Sequence, residues 1–349
     1  MKRRTFMKNS LGTAITAGLG GITLSSFGLT KPTQLESEDI QQLLKPKDAY
    51  DLHFMAVGDW GRNGADHQLA VAGQMGQWAD QHPNDFIIST GDNFYPSGVV
   101  SEHDPLWHYS FENIYTAFSL QWDWYPILGN HDYKSDPDAQ VRYSTISRRW
   151  KMPARYYSKT FALKDGKKVL MAFIDTNPMI PEFYSNSEYG PHVAGQQPEK
   201  QLAWLDQLLE NSDAHWKIVV GHHPLYTAGP RTTNYDTLAV RKVLESIFEK
   251  RGVDIYLSGH EHSLQHLKVE GKKFHQFISG AGSEVTPVKT DLPYSRFAKD
   301  QYGFFSFSIS SEEIACQVIS HEGIELYRTV LTKVCPFLKK VYKNRILKS

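Results

Sequence analysis

The sequence predicts an α/β fold, a sandwich of two mixed β-sheets flanked by helices, and three observations lead there. Short apolar runs recur from Asp51 onward, and each ends in a Gly-led polar cluster. Helical patterns, with apolar residues three and four apart, lie between several of these runs. Residues 302–331 alternate apolar and polar side chains in three short segments that complete a second sheet. A buried strand reads as a short apolar run bounded by turn signals, and Gly at its end permits a sharp turn that aims the next side chain. Where strands alternate with helices, ligands gather beyond the strand ends.

Residues 1–30 read as an export signal and stand outside the fold. Lys2, Arg3, Arg4 and Lys8 make a charged start, residues 11–29 form a weakly apolar run with five Gly, and Arg3-Arg4 with Phe6 and Lys8 resembles the twin-arginine export motif. A membrane anchor is the alternative, since the run approaches spanning length, although Gly, Ser and Thr dilute it. No other stretch is long and apolar enough to cross a bilayer. Residues 31–48 read as a linker, 49–331 as one catalytic domain and 332–349 as a basic tail. Within the domain, strands are predicted at 53–57, 86–89, 124–128, 216–220 and 253–257. Helices are predicted at 65–81, 198–211 and 237–250; the second opens on Pro198 and the third runs into Gly252. Two hairpins are predicted, over 156–175 around Asp165-Gly166 and over 264–278 around Glu270-Gly271.

Lys plus Arg and Asp plus Glu both number 38 in the whole chain, but the two ends take ten of the cations and no acid. The body is therefore acidic, with 28 cations against 38 acids, which argues against a nucleic-acid-binding face. Cys316 and Cys335 are the two cysteines, too few for a disulfide scaffold or a cysteine metal cluster. In an oxidising compartment they could pair and pin the tail; two unrelated thiols are the equal alternative.

The clusters at the strand ends carry the chemistry. They are Gly58-Asp59-Trp60, Gly91-Asp92-Asn93-Phe94-Tyr95, Gly129-Asn130-His131-Asp132, Gly221-His222-His223 and Gly259-His260-Glu261-His262. A single Gly-Asp after a strand is usually a turn, and a lone His-x-His is usually two surface imidazoles. Together they supply carboxylates and a phenol suited to a trivalent ion, with imidazoles and an amide suited to a divalent one. His260 and His262 are expected in an extended segment, where residues two apart share a side and reach two neighbouring ions.

These five ordered blocks, spanning about residues 51–265 and extended by Ser279-Gly280-Ala281-Gly282, resemble those of the purple acid phosphatases in the calcineurin-like metallophosphoesterase superfamily. Gly98-Val99 after Tyr95 and the single-domain length are similar to the small, tartrate-resistant type. The resemblance implies a metallophosphoesterase-like sandwich that hydrolyses phosphate monoesters, with hydroxide attacking phosphorus in line. It implies that Asp59, Asp92, Tyr95 and His262 hold Fe3+, and that Asp92, Asn130, His222 and His260 hold a divalent Fe2+, Zn2+ or Mn2+, Asp92 bridging. It further implies that His131 orients phosphate or assists the leaving group. Glu261 stands where the family usually has Asp, which puts the surroundings of the ligands in question rather than the ligands.

His223 reads either as a substrate contact or as a wall of the pocket, and the loop 226–234 as a substrate-facing lid or an ordinary surface loop. The aromatic region 107–124 reads as core. The remaining histidines read as surface or packed residues. A phosphodiesterase or nucleotidase with two divalent ions is the rival reading, and Tyr95 discriminates against it. The expected enzyme is a periplasmic or secreted monomer acting on small phosphate esters, with no nucleic-acid partner and no stable membrane association after export.

Overall fold

A computed structural model describes residues 45–333. The export segment, most of the linker, Cys335 and nearly all of the basic tail lie outside the described residues. The first sheet has the strand order β13-β12-β11-β1-β2-β3. Its members are β1 (Leu52–Val57), β2 (Phe86–Ser89), β3 (Asp123–Pro126), β11 (Gly303–Ile309), β12 (Glu313–Ser320) and β13 (Glu325–Thr332). The second runs β10-β8-β9-β7-β6-β5-β4. It comprises β4 (Tyr157–Ala162), β5 (Lys168–Phe173), β6 (Trp216–Val220), β7 (Ile255–Ser258), β8 (Leu264–Leu267), β9 (His275–Ser279) and β10 (Ser295–Lys299).

The expected mixed sandwich is therefore present. In the first sheet β1, β2 and β3 are parallel, and β11 joins β1 antiparallel with Phe54 opposite Phe307. In the second, β5, β6, β7 and β9 are parallel. Both predicted hairpins form, as β4–β5 and β8–β9, and the three C-terminal segments are β11, β12 and β13. Strand β10 was not predicted. It pairs antiparallel with β8 along the sheet edge, where exposure of Arg296 and Lys299 leaves no continuous apolar run to read.

Parallel strands buried on both faces have no polar side to show, which is why β1, β2 and β7 are buried at every residue. The core lies between the sheets. Phe54 stacks between Phe86 and Phe307, at 5.2 and 4.9 Å between ring centroids, and Phe277 of β9 meets Phe305 and Phe307 edge-on across the sandwich. Helices Gln68–Gln81, Pro198–Glu210 and Tyr235–Arg251 cover the outer faces, close to their predicted bounds. Gly252 ends the last of them in the left-handed conformation, at φ 67°.

The aromatic region 107–124 is core, as read. Trp60, Phe94, Trp107, Phe111, Tyr115, Trp124 and Trp150 are fully buried and pack largely edge to face, forming a rigid floor beneath the loop that carries Asp92 and Tyr95. The carboxyl ends of β1, β2 and β3 in one sheet and of β6 and β7 in the other open toward the same place. Cys316 is buried in β12, and Cys335 lies outside the described residues.

Candidate metal centre

Each predicted site residue sits a few positions past a parallel strand: Asp59 after β1, Asp92 and Tyr95 after β2, Asn130 and His131 after β3, His222 and His223 after β6, His260 and His262 after β7. The turns that present them are tight. Asp59, Asp92 and His260 all lie in the left-handed region, at φ 58°, 50° and 70°, where non-glycine residues are uncommon and cost free energy. Gly91 takes φ 93°, and a Cβ there would stand 2.6 Å from Nδ1 of His222, so the second block depends on glycine.

The side chains converge in two groups. Tyr95 Oη lies 3.2 Å from Asp59 Oδ1, 3.0 Å from Asp92 Oδ2 and 3.1 Å from His262 Nε2. Asn130 Oδ1 lies 3.0 Å from His260 Nδ1 and 3.3 Å from His222 Nε2, and those two nitrogens are 3.3 Å apart. Asp92 belongs to both groups: the Oδ2 that meets Tyr95 is also 3.4 Å from His222 Nε2. Its other oxygen accepts the His131 backbone N–H at 2.8 Å. All seven predicted ligand positions are thus brought together.

Each imidazole of the three predicted histidine ligands has a partner at its far nitrogen. His222 Nδ1 contacts the Thr90 carbonyl at 2.8 Å, His260 Nε2 contacts Asp236 at 2.9 Å, and His262 Nδ1 lies 3.5 Å from Glu284. An N–H donated outward leaves the inward nitrogen with its lone pair, and a carboxylate partner makes that nitrogen a better donor. Asp236, at the start of helix Tyr235–Arg251, and Glu284 were not singled out from the sequence; nothing local marks a carboxylate that serves a histidine far along the chain.

The extended geometry expected for the last block is corrected. His260 is left-handed, and residues 260–263 bend through i to i+2 contacts, Glu261 N to Gly259 O at 2.9 Å and Ser263 N to Glu261 O at 2.7 Å. The bend sends His260 and His262 to different groups while Glu261 turns away. The buried Glu261 carboxylate accepts the Arg231 backbone N–H at 2.8 Å and pairs with its guanidinium at 3.3 Å. Ala228 N–H likewise donates to Gln265, so the loop 226–234 is pinned at its base, with Pro230, Thr233 and Asn234 exposed.

His131 and His223 flank the predicted ligands. His131 is half-buried, and its Nδ1 contacts the Pro96 carbonyl at 2.7 Å. His223 is fully buried with its ring centroid 4.5 Å from that of His260, and its Nδ1 meets Thr176 Oγ1 at 2.7 Å. Its Nε2 is a buried polar atom with no protein partner.

Electrostatics suit cations. Burial pushes the Asp92 carboxyl up, but the charges of His222 and His131 outweigh it and hold the group well below the usual range. Burial lowers His222, and the Asp92 carboxylate then lifts it to about 9. Burial, followed by the charges of Asp92 and Asp59, holds the Tyr95 phenol far above its ordinary value. Burial and the neighbouring His260 and His222 push His223 well below the imidazole range. Two buried carboxylates, a phenol, three imidazoles and an amide oxygen, with the unpartnered His223 Nε2 beside them, are a donor set that fits a pair of metal ions.

Comparison with known proteins agrees. The calcineurin-like phosphoesterase family model matches residues 52–264, and the chain belongs to that family. Within it the chain belongs to the purple acid phosphatases. It is similar to purple acid phosphatase 17 of Arabidopsis thaliana, with 38% identity over 79% of this chain and 84% of that protein. Human tartrate-resistant acid phosphatase type 5 is 32% identical over 81% of this chain and 91% of its own length. Among solved structures, the purple acid phosphatase from yellow lupin seeds shares the fold at TM-score 0.59 and 13% identity, covering 82% of this chain and 55% of that one. Membership and site together define an enzyme that hydrolyses phosphate monoesters at a dinuclear metal centre.

The Asp236 contact yields a prediction. Asp236→Asn leaves the ring of His260 without its anionic partner, so metal affinity should fall by about 10- to 100-fold with the fold intact. Titration of metal into stripped protein, monitored by calorimetry, measures this; an unchanged affinity would remove Asp236 from the centre.

Proposed function

We propose that this acid phosphatase holds Fe3+ on Asp59, Asp92, Tyr95 and His262 and a divalent Fe2+, Zn2+ or Mn2+ on Asp92, Asn130, His222 and His260. The single observation that carries the reading is the position of Tyr95 Oη, within 3.2 Å of Asp59, Asp92 and His262. A phenol so surrounded by carboxylates gives up its proton only to a strongly charged cation, and a trivalent ion is such a cation. When bound, the two cations neutralise the phosphoryl oxygens and make water nucleophilic at neutral or acid pH.

The chain's own residues do the rest. Asp92 spans the two groups and fixes their spacing. Asn130 offers its carbonyl inward while Tyr189 receives its amide N–H at 3.3 Å. His131 donates Nδ1–H to Pro96, which leaves Nε2 to carry a proton toward the departing alkoxide. Thr176 Oγ1 accepts the His223 backbone N–H at 3.3 Å and has its own proton to give Nδ1, so Nε2 of the neutral ring carries the hydrogen and donates to a phosphoryl oxygen. Burial excludes water from the His223 contacts and strengthens them.

Export belongs to the same reading: residues 1–30 carry the chain, as a monomer, to the periplasm or outside the cell. Among the described residues no helix is long and apolar enough to cross a membrane. A twin-arginine route moves folded proteins and suits an enzyme that takes up its metals first.

Tyr95→Phe keeps the ring and removes the donor oxygen. The wild type, isolated aerobically, should be purple and the variant colourless, with a measurable residual rate; a colourless, iron-free wild type would move the function to a phosphoesterase with two divalent ions. His131→Ala should lower turnover by about 10²- to 10⁴-fold with metal content unchanged. The loss should be smallest for nitrophenyl phosphate and larger for alkyl phosphates, and an equal loss across leaving groups would assign His131 to positioning instead.

A further inference from the structure

Tyr95 and His262 each have a charged neighbour outside the ligand set, and the two neighbours are bonded to each other. The Arg62 guanidinium lies over the face of the Tyr95 ring, its carbon 3.9 Å from the centroid. Arg62 is fixed there by several contacts: Nη2 pairs with Glu284 at 2.7 Å, Nε donates to Ser283 Oγ at 3.1 Å, and Asp66 lies 3.7 Å from Nε. The same Glu284 oxygen that accepts from Arg62 lies 3.5 Å from His262 Nδ1. One ion pair therefore touches two ligands of the same group, with its positive end on the phenol and its negative end on the imidazole. Neither residue reaches the inward donor atoms, and both remain partly exposed, Arg62 at 20% and Glu284 at 44%.

The two ends act in opposite senses. A cation on the face of an aromatic ring draws on its π density, so a phenolate beneath it gives less charge to a metal. A carboxylate at the far nitrogen of an imidazole makes that ring a stronger donor. We infer that Arg62 and Glu284 tune the Tyr95–His262 group, Arg62 favouring the reduced state of an iron ion held there and Glu284 the oxidised state, so that the pair sets its reduction potential. Neither residue touches substrate; both act through the ligands. The inference rests on the iron–phenolate reading above. The ion pair is partly solvated, so its influence is strongest at low ionic strength.

The test uses the full-length enzyme isolated aerobically as wild type, Arg62→Gln, Arg62→Lys and Glu284→Gln, at low salt. Visible spectra and a redox titration are recorded, with urea unfolding to confirm that each variant is folded. Arg62→Gln should move the charge-transfer band to longer wavelength and lower the potential. Arg62→Lys, which keeps the cation, should stay close to wild type. Glu284→Gln should raise the potential, a sign that general loosening of the site would not produce. A purple wild type whose potential is unmoved by both neutral variants, or shifted in the same direction by both, overturns the tuning role and leaves the iron–phenolate reading standing. A colourless, iron-free wild type overturns that reading and the inference with it.

Discussion

Asp59 and Asp92 are buried carboxylates gathered into one place, and among the described residues their ion-pair partners are imidazoles rather than lysines or arginines. Removing such charges from water costs several kcal/mol each unless something positive compensates. The protein does not relieve this with fixed cations. It gathers imidazoles, a phenol and an amide around the carboxylates; the raised His222 supplies part of the positive charge, and the donor set suits metal ions that would supply the rest. Three of the predicted ligands, Asp59, Asp92 and His260, lie in the left-handed region and add strain to the same place, and the surrounding fold must hold them there.

What holds them is a second layer of polar contacts that ties blocks remote in sequence to one another. Asp132 is fully buried and accepts backbone N–H groups from Asn93 at 3.0 Å, Phe94 at 3.2 Å and Gly129 at 2.8 Å, which locks the second block to the third. Burial, and after it the charge of Asp92, lifts Asp132 to about 7. The backbone amide of His260 donates to Asp59, joining the first block to the last across the two sheets. Trp60 Nε1 donates to Ser89 Oγ at 2.8 Å, so the aromatic floor is bonded to the strand end above it. The predicted ligands are thus placed by strand ends and their cross-links, with the exposed part of the loop 226–234 confined to Pro230, Thr233 and Asn234.

Much of this was legible in the sequence because it is local. Apolar runs ending in Gly marked the parallel strands, and the residues after each Gly include the seven predicted positions that converge in the structure. The alternation over 302–331 marked three antiparallel strands. What was not legible depends on contacts between distant segments. Asp236 serves His260 from 24 residues away, and Glu284 lies beside His262 only because the chain returns after β9. Arg62 follows Asp59 by three residues, yet its position over Tyr95 is set by Ser283 and Glu284. The bend at His260 replaced an extended segment because its direction follows from cross-sheet bonding to Asp59. Edge strand β10 lacked an apolar run altogether.

Asp92 is proposed as a ligand shared by two metals. Elemental analysis of protein purified from its native compartment, with protein concentration determined independently, tests it most directly. The wild type should carry two metal ions per chain and Asp92→Asn fewer than one, since an amide cannot supply the shared anionic oxygen. Two ions retained per chain in the variant would contradict it.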